Sequence, residues 1–157
     1  MNYSCDQISK NIAREQLPDY QEVEVVGENL VLVKAENKGA MLGAGQNLPT
    51  IAKTIISHVL PTLMLVGLFF FTMFYTQLNK GLILGFSFII GGGLGNIIDR
   101  IIYGSVTDFV HMDFGIVRTG IFNMADVSIM IGTFWLLAKQ FKLQKNIPIG
   151  SIIGTDR

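Results

Sequence analysis

Two long stretches without any charged side chain constrain this chain most strongly. No Asp, Glu, Lys or Arg occurs between Thr54 and Asn79, or between Gly81 and Ile98. An apolar stretch of about 18 residues or more is long enough to cross the hydrocarbon core of a bilayer as a helix. The sequence therefore predicts a polytopic membrane protein rather than a soluble domain.

A third apolar stretch lies nearer the C-terminus and contains an acidic residue, Asp126. We predict membrane-spanning helices at residues 55–76, 82–98 and 121–138. The second of these ends in a glycine-rich run at residues 91–95. Because small residues let helices approach closely in lipid, the predicted fold class is an all-α bundle of transmembrane helices.

The composition excludes several classes of protein. Only 15% of the residues are charged, against roughly 25% in a typical soluble domain. The 12 basic and 12 acidic residues balance, so there is no basic field to hold phosphate and we expect no nucleic-acid partner. The single cysteine, Cys5, excludes an internal disulfide framework and a cysteine-built metal site.

The polar segments contain short elements of their own. Residues 6–17 favour a helix that ends at Pro18. Between Tyr20 and Lys34, two apolar runs flank a turn-forming Gly-Glu-Asn segment, which is typical of a β-hairpin. The glycine-rich segment 36–46 is interpreted as a loop or an edge strand, and residues 99–119 as a polar connection between two spans.

Basic residues predict the orientation in the membrane, because cytoplasmic loops carry an excess of Lys and Arg. This rule assigns the loop at Lys80 and the tail, residues 139–157, to the cytoplasm. Residues 1–54 and 99–119 then lie outside. Because residues 1–54 carry five Lys or Arg, we expect an apolar helix before Met1 that brings them across the membrane.

Two aspartates are the main candidates for chemistry. Asp126 lies within a predicted span, where an ionisable group is costly and is by default a functional residue; a carboxylate that caps its helix or reaches up to water is the alternative. Asp108 lies between apolar residues on the same predicted side of the membrane, and a solvated loop residue is its alternative. Two carboxyl groups held together share a proton, so one can activate water while the other protonates a peptide carbonyl. The pair predicts aspartic peptidase chemistry, which needs no metal.

Other chemistries have weaker support. The possible metal ligands lack the spacing of a known metal motif: His58, His111, Asp108, Asp113 and Asp126. No serine or cysteine lies in a recognisable nucleophile motif.

A third polar group, Asn96, Asp99 and Arg100, shares one helix face if the second span continues. Arg100 could hold a carboxylate or a lipid phosphate, and we expect Asp99 to brace Arg100 or a helix end. The alternative is a helix end anchored at the lipid headgroups. Two further pairs have simple interpretations. Asp6 and Lys10 could form an ion pair on the surface of a helix, and Asn37 and Gly39 could form a turn.

Taken together, five blocks of sequence resemble lipoprotein signal peptidase, the bacterial type II signal peptidase. Their order and spacing agree with that family from residue 6 to about residue 140. The glycine–Asn–Asp–Arg block, followed by the two aspartate blocks, is highly specific. The blocks are Asp6-Gln7-Ile8-Ser9-Lys10, Asn37-Lys38-Gly39-Ala40, Gly91-Gly92-Gly93-Leu94-Gly95-Asn96-Ile97-Ile98-Asp99-Arg100, Val106-Thr107-Asp108-Phe109 and Phe122-Asn123-Met124-Ala125-Asp126.

The resemblance implies an aspartic endopeptidase that cuts a prolipoprotein just before a diacylglyceryl-modified cysteine. The catalytic aspartates of the family correspond to Asp108 and Asp126. Its supporting and substrate-binding positions correspond to a larger set: Asp6, Lys10, Asn37, Gly39, Asn96, Asp99, Arg100, Asn123 and Ala125.

The resemblance also implies an architecture of four transmembrane helices, three of them visible here, with a small extracytoplasmic β-hairpin or cradle. Residues 1–157 then form a single membrane-embedded peptidase domain, in which 1–54 provide the extracytoplasmic helix end and the β-cradle. We expect a multi-pass monomer of the bacterial inner membrane with its active site on the extracytoplasmic side. Its partners are prolipoproteins and membrane lipids, and no cofactor is expected.

A non-catalytic polytopic membrane protein, such as a transporter subunit or an assembly factor, is the alternative. In that case Asp126 and Arg100 would be helix-packing or ion-path residues. Cleavage of a lipidated peptide by the purified protein distinguishes the two.

Overall fold

The computed structural model describes residues 2–18, 21–27, 29–39 and 48–145. These residues are mostly helical and include one small antiparallel sheet. In chain order the elements are α1 Asn2–Gln16, β1 Glu22–Val26, β2 Leu30–Asn37, α2 Thr50–Thr54, a π-helical turn Ile55–Val59, α3 Leu60–Phe74, α4 Lys80–Tyr103, β3 Val106–Met112 and α5 Met124–Lys145. The predicted helical bundle with a small β-hairpin or cradle is confirmed in part: the described residues are mostly helical, and the hairpin belongs to a three-stranded sheet.

The N-terminal predictions are confirmed in outline. α1 covers the helix expected at residues 6–17 and ends before Pro18, although it begins earlier than expected. β1 and β2 form the expected antiparallel hairpin. The loop or edge strand predicted at 36–46 lies largely outside the described residues, and its start belongs to β2, which ends at Asn37.

The polar connection predicted at residues 99–119 is confirmed only in part, because its first residues belong to α4 and a strand lies within it. α4 continues to Tyr103 and ends at Gly104, whose φ of 71° forms a left-handed C-cap. β3 follows at once and pairs with β2, so the strand order is β1-β2-β3. The first five residues of β3 are all buried. The strand therefore lacks the alternation of apolar and polar residues by which a half-exposed strand is detected.

Two helices in the described part of the chain are long and apolar enough to cross a membrane, Thr50–Phe74 and Lys80–Tyr103. The first joins α2, the π-helical turn and α3, and the second is α4. They cover the first two predicted spans and are longer than expected. Large apolar side chains on the first, such as Leu63 and Phe74, point outward, as suits a surface that contacts lipid tails.

The third predicted span, residues 121–138, corresponds to α5, which is not one of those two helices. α5 begins only at Met124 because Asn123 caps it: the Asn123 Oδ1 accepts the backbone N–H of Asp126 at 3.0 Å. The helix continues to Lys145, into the predicted tail at 139–157. The rest of that tail, residues 146–157, lies outside the described residues.

Glycines allow α4 and α5 to pack closely. A Cβ atom on Gly92 would collide with the carbonyl oxygen of Ala125, and one on Gly132 with that of Gly85. This is the close approach predicted from the glycine-rich end of the second span. It brings Asn96, one turn further along α4, beside the first turn of α5.

A small apolar core holds the sheet against α1. Ala13 of α1 is buried with Phe109 and Val110 of β3, and further apolar side chains pack around them: Leu17, Leu30, Leu32, Met112 and Phe122. Asp108 directly precedes Phe109 in β3. The packing of β3 against α1 therefore also holds Asp108 close to the helices.

Candidate active site

β3 places Asp108 at the junction of the sheet and the helices. Its side chain is only 4% exposed. Asp108 Oδ2 accepts a hydrogen bond from Asn37 Nδ2 of β2 at 3.0 Å, and Oδ1 accepts one from Asn123 Nδ2 at 2.5 Å. The alternative interpretation, a solvated loop residue, is therefore wrong.

Asp126 lies in the first turn of α5 and is half-buried. Its Oδ2 accepts the backbone N–H of Asn123 at 3.3 Å, while Asn123 Oδ1 accepts the backbone N–H of Asp126. This reciprocal arrangement is a capping box. The other oxygen, Oδ1, accepts a hydrogen bond from Asn96 Nδ2 at 2.8 Å. Asp126 therefore helps to cap its helix, which was the alternative interpretation of this residue. It also belongs to a polar network through Asn96.

Asn123 connects the two carboxyl groups. It is fully buried, and it donates to Asp108 through its side chain and to Asp126 through its backbone N–H. Its Nδ2 also donates to Asn96 Oδ1 at 3.2 Å. The two aspartates, one from a strand and one from a helix, thus meet on a single residue.

The pKa of Asp108 is raised from 3.8 to about 6, mainly by burial and in addition by the negative charge of Asp126. Hydrogen bonds from Asn37 and Asn123 and the charge of Lys10 act in the opposite direction. Asp108 therefore keeps its proton to a higher pH than an ordinary aspartate. This is the behaviour expected of one member of a pair of carboxyl groups that share a proton.

A buried cluster of charges lies behind the aspartates. Lys10 Nζ lies 2.8 Å from Asp6 Oδ2 and 2.8 Å from Asp99 Oδ2, and all three side chains are fully buried. The helix-surface ion pair expected for Asp6 and Lys10 is therefore wrong. Lys10 also donates to Asn96 Oδ1 at 2.9 Å, and Asp6 Oδ1 accepts the backbone N–H of Ala125 at 2.8 Å. The cluster thus orients the Asn96 amide and holds the start of α5.

Arg100 and Gly39 meet at one side of the site. Arg100 Nη2 donates to the Gly39 carbonyl at 3.2 Å, and Nη1 donates to that of Asn96 at 3.3 Å. Arg100 Nε is buried and has no hydrogen-bond partner among the described residues. The Gly39 N–H donates to Asn37 Oδ1 at 2.9 Å, which is the turn proposed as the simple interpretation. Asp99, expected to brace Arg100 or a helix end, forms ion pairs with Lys10 and Arg14 of α1.

A cavity of about 210 Å³ lies beside the two carboxyl groups. Its polar wall consists of five of the predicted site residues: Asn37, Asn96, Arg100, Asp108 and Asp126. Its apolar wall includes Pro61 and Leu65 of α3 and Ile129 and Met130 of α5. The other predicted site residues are not in this lining: Asp6, Lys10, Gly39, Asp99, Asn123 and Ala125.

The candidate metal ligands do not converge. Among the described residues, no three His, Cys, Asp or Glu side chains are arranged to hold a metal ion. His58 lies in the π-helical turn with its Nδ1 2.7 Å from Ser57 Oγ, and His111 lies in β3. Asp113 forms an ion pair with Arg118 at 2.8 Å. The geometry of this part of the chain does not favour the metal-site alternative.

Sequence reasoning missed three residues that contact this network. Arg14 Nε donates to Thr107 Oγ1 at 2.8 Å, and that hydroxyl donates to Glu36 Oε1 at 2.8 Å. Arg14 also pairs with Asp99 at 3.1 Å. Arg14 follows Lys10 by four residues on α1, so helical spacing could have identified it. Thr107 lies in the block Val106-Thr107-Asp108-Phe109, but nothing in that block distinguishes it as a site residue, and no local pattern indicates Glu36.

Comparisons with known proteins show the family of this chain. The model of the signal peptidase (SPase) II family matches residues 2–142. A lipoprotein signal peptidase of Chlorobium phaeobacteroides (strain BS1) is 38% identical over 136 residues, which cover 81% of this chain and 82% of that protein. One of Pelodictyon phaeoclathratiforme (strain DSM 5477 / BU-1) is 33% identical over 161 residues, covering 97% and 90%. A solved bacterial membrane enzyme, 28% identical, superposes with a TM-score of 0.79 over 93% of this chain and 86% of its own. The chain therefore belongs to the signal peptidase II family.

Proposed function

We propose that Asp108 and Asp126 are the catalytic pair with which this peptidase removes signal peptides from prolipoproteins, cutting before a diacylglyceryl-modified cysteine. One observation carries the proposal: carboxyl groups from a strand and a helix both accept hydrogen bonds from the buried Asn123, and both line the same cavity. The similarity to lipoprotein signal peptidases over most of the chain supports it.

In the proposed mechanism Asp126, the more exposed of the two, acts as the general base. It takes a proton from a water molecule, whose oxygen attacks the carbonyl carbon of the scissile peptide bond. Asp108, whose pKa is raised to about 6, donates its proton to the carbonyl oxygen. The C–N bond then breaks: one hydroxyl proton of the gem-diol returns to Asp108, and the leaving amine takes the proton held by Asp126. No metal or other cofactor takes part.

The asparagines and Arg100 have different tasks in this mechanism. Asn96 and Asn123 orient the aspartates, since their side-chain amides are hydrogen-bonded to these carboxyl groups. Arg100 lies in the cavity wall with its Nε unpaired among the residues described. A carbonyl or ester oxygen of the substrate would satisfy this donor, because a buried donor without a partner is costly.

The proposed setting is a single membrane-embedded domain, residues 1–157, in the bacterial inner membrane. α5 is a third span beside Thr50–Phe74 and α4; its close packing along α4 at Gly92 and Gly132 supports this. The basic residues near its C-terminal end support a cytoplasmic position for that end. The sheet and the cavity then face the extracytoplasmic side. The protein acts as a monomer, and the acyl chains of the substrate stay in the lipid beside the apolar wall.

The test is to replace each aspartate separately by asparagine. Asp108→Asn and Asp126→Asn each remove one group of the acid–base pair, so we expect cleavage of a lipidated peptide to fall by about 10²–10⁴-fold. Purified protein is assayed in detergent with a chelator present, and the released signal peptide is quantified.

Asp113→Asn is the matched control, because Asp113 pairs with Arg118 and is not part of the cavity lining; this variant should cleave normally. Normal cleavage by either Asp108→Asn or Asp126→Asn would contradict the proposed pair. Loss of wild-type activity on chelation would contradict the metal-free mechanism.

A further inference from the structure

The proposed catalytic pair is divided between two parts of the fold. Asp108 belongs to the sheet and Asp126 to a helix, so the spacing of their carboxyl groups depends on how the sheet is held against the helices. Asn123 makes one connection, at the carboxyl groups themselves. A second connection lies one residue away along β3, at Thr107, whose side chain is fully buried.

Thr107 is held on both sides. Its hydroxyl oxygen accepts a hydrogen bond from Arg14 Nε at 2.8 Å and donates one to Glu36 Oε1 at 2.8 Å. Glu36 lies directly opposite Thr107 in the pairing of β2 with β3. The second oxygen of Glu36 accepts a hydrogen bond from Ser105 Oγ at 2.6 Å. The start of β3 is thus hydrogen-bonded to its neighbouring strand by side chains as well as by the backbone.

Arg14 joins this strand to two helices. It projects from α1, and its Nη2 lies 3.1 Å from Asp99 Oδ1 of α4. Its guanidinium carbon also lies 4.0 Å from the centre of the Tyr103 ring, at the end of α4, a favourable cation–π distance. One guanidinium group therefore contacts α4 twice and the hydroxyl of Thr107 once.

Successive side chains on a strand point to opposite faces. Because Thr107 is held firmly on one face of β3, the direction of the Asp108 side chain on the other face is determined as well. We propose that Arg14 and Thr107 form a clamp of positioning residues that sets the spacing between Asp108 and Asp126. This inference rests on the proposed catalytic role of the two aspartates.

The clamp has a consequence for the pH profile. The charged groups that act on Asp108 are Asp126 of α5, Lys10 of α1 and Arg100 of α4. Asp126 raises the pKa of Asp108, so a looser spacing lowers that pKa. Because Asp108 is the proposed acid, the basic limb of the kcat/KM profile then moves to lower pH. A purely structural weakening would reduce the amount of active enzyme and leave the limb where it is.

Thr107→Val is the sharpest test, because it removes the hydroxyl and keeps the branched shape of the side chain. We expect kcat to fall by about tenfold or more, since small misplacements of catalytic groups are costly. KM should change little, and the basic limb should shift to lower pH. Thr119→Val is the matched control: its hydroxyl accepts the N–H of Met112 at the far end of β3, and neither the profile nor kcat should change.

Arg14→Lys tests the other half of the clamp. A lysine keeps a positive charge near Asp99 but lacks the forked group that also reaches Thr107. If the two residues act together, the double variant R14K/T107V is no slower than T107V. Additive losses, or a basic limb in T107V at the wild-type pH, would overturn the inference. Such a result would leave the proposed function intact if D108N and D126N are inactive, whereas active Asn variants would overturn that function instead.

Discussion

Asp108 shows how far a residue's chemistry depends on its neighbours in space. In the sequence it follows Thr107 and precedes Phe109, and this local pattern is equally compatible with a solvated loop. In the structure it is buried in β3, where it accepts hydrogen bonds from Asn37 of β2 and from Asn123, the cap of α5. Its pKa is raised to about 6, mainly by burial. The same carboxyl group thus keeps its proton to a higher pH because of contacts with residues distant in the sequence.

The raised pKa predicts how stability depends on pH. The folded state binds the Asp108 proton more tightly than the unfolded state, so this contribution is fully present below pH 3.8 and is lost as the pH rises through about 6. Asp108→Asn does not titrate. The stability of this variant relative to wild type should therefore rise between pH 4 and pH 7, by on the order of 2–3 kcal/mol.

Thermal unfolding in detergent at a series of pH values measures this difference. The hydrogen bonds that asparagine loses at this position change stability by an amount that does not depend on pH. A difference between the variant and wild type that stays constant from pH 4 to pH 7 would contradict the raised pKa.

The helices and the strands differ in how much of them could be predicted. The first two predicted spans are long stretches without charged residues, so hydropathy alone locates their helices. The hairpin was found from its alternation and its turn. β3 could not be found in this way, since its first five residues are buried on both faces. The start of α5 depends on a capping box made by Asn123 and Asp126. The two residues have the required spacing in the sequence, but the apolar residues on both sides make the helix start difficult to recognise there.

The packing of α4 on α5 gives a prediction for glycine. A Cβ atom at Gly92 would collide with the carbonyl oxygen of Ala125, next to Asp126. Gly92→Ala should therefore push the helices apart, lower stability by about 1–3 kcal/mol and reduce cleavage. Thermal unfolding and peptide cleavage measure the two effects.

Gly67→Ala on α3 is the matched control, because a Cβ atom there meets nothing within 4 Å. Alanine also favours a helix more than glycine does, so this variant should be at least as stable as wild type. Equal stability and activity of the two alanine variants would show that the contact between α4 and α5 is not close.

The whole molecule combines outward-facing apolar helices with a polar interior at one end. The interior contains charged and amide side chains from α1, α4, β2, β3 and α5. A helical bundle alone could not bring Asp108 to Asp126, since Asp108 belongs to the sheet. The site therefore exists only when the sheet is docked on the helices.

Labelling of single cysteines tests the proposed orientation in the membrane. In a Cys5→Ser background, Gln77→Cys and Gln140→Cys should react with a membrane-impermeant maleimide only after the inner membrane is opened. Ile116→Cys, in the connection between β3 and α5, should react from the outside. All three native side chains are exposed. Labelling of position 140 from the outside would contradict α5 as a third span.

The sequence by itself determined the two long apolar helices and the family, because charge-free stretches and short motifs are properties of neighbouring residues. Only the tertiary structure decided which polar residues work together. Arg14 meets Thr107, and Asn96 meets Asp126, across long distances along the chain, and no local pattern encodes such contacts. The burial of Asp6, Lys10 and Asp99 is likewise set by the helices packed over them, since an ion pair on one helix has the same spacing whether it faces solvent or protein.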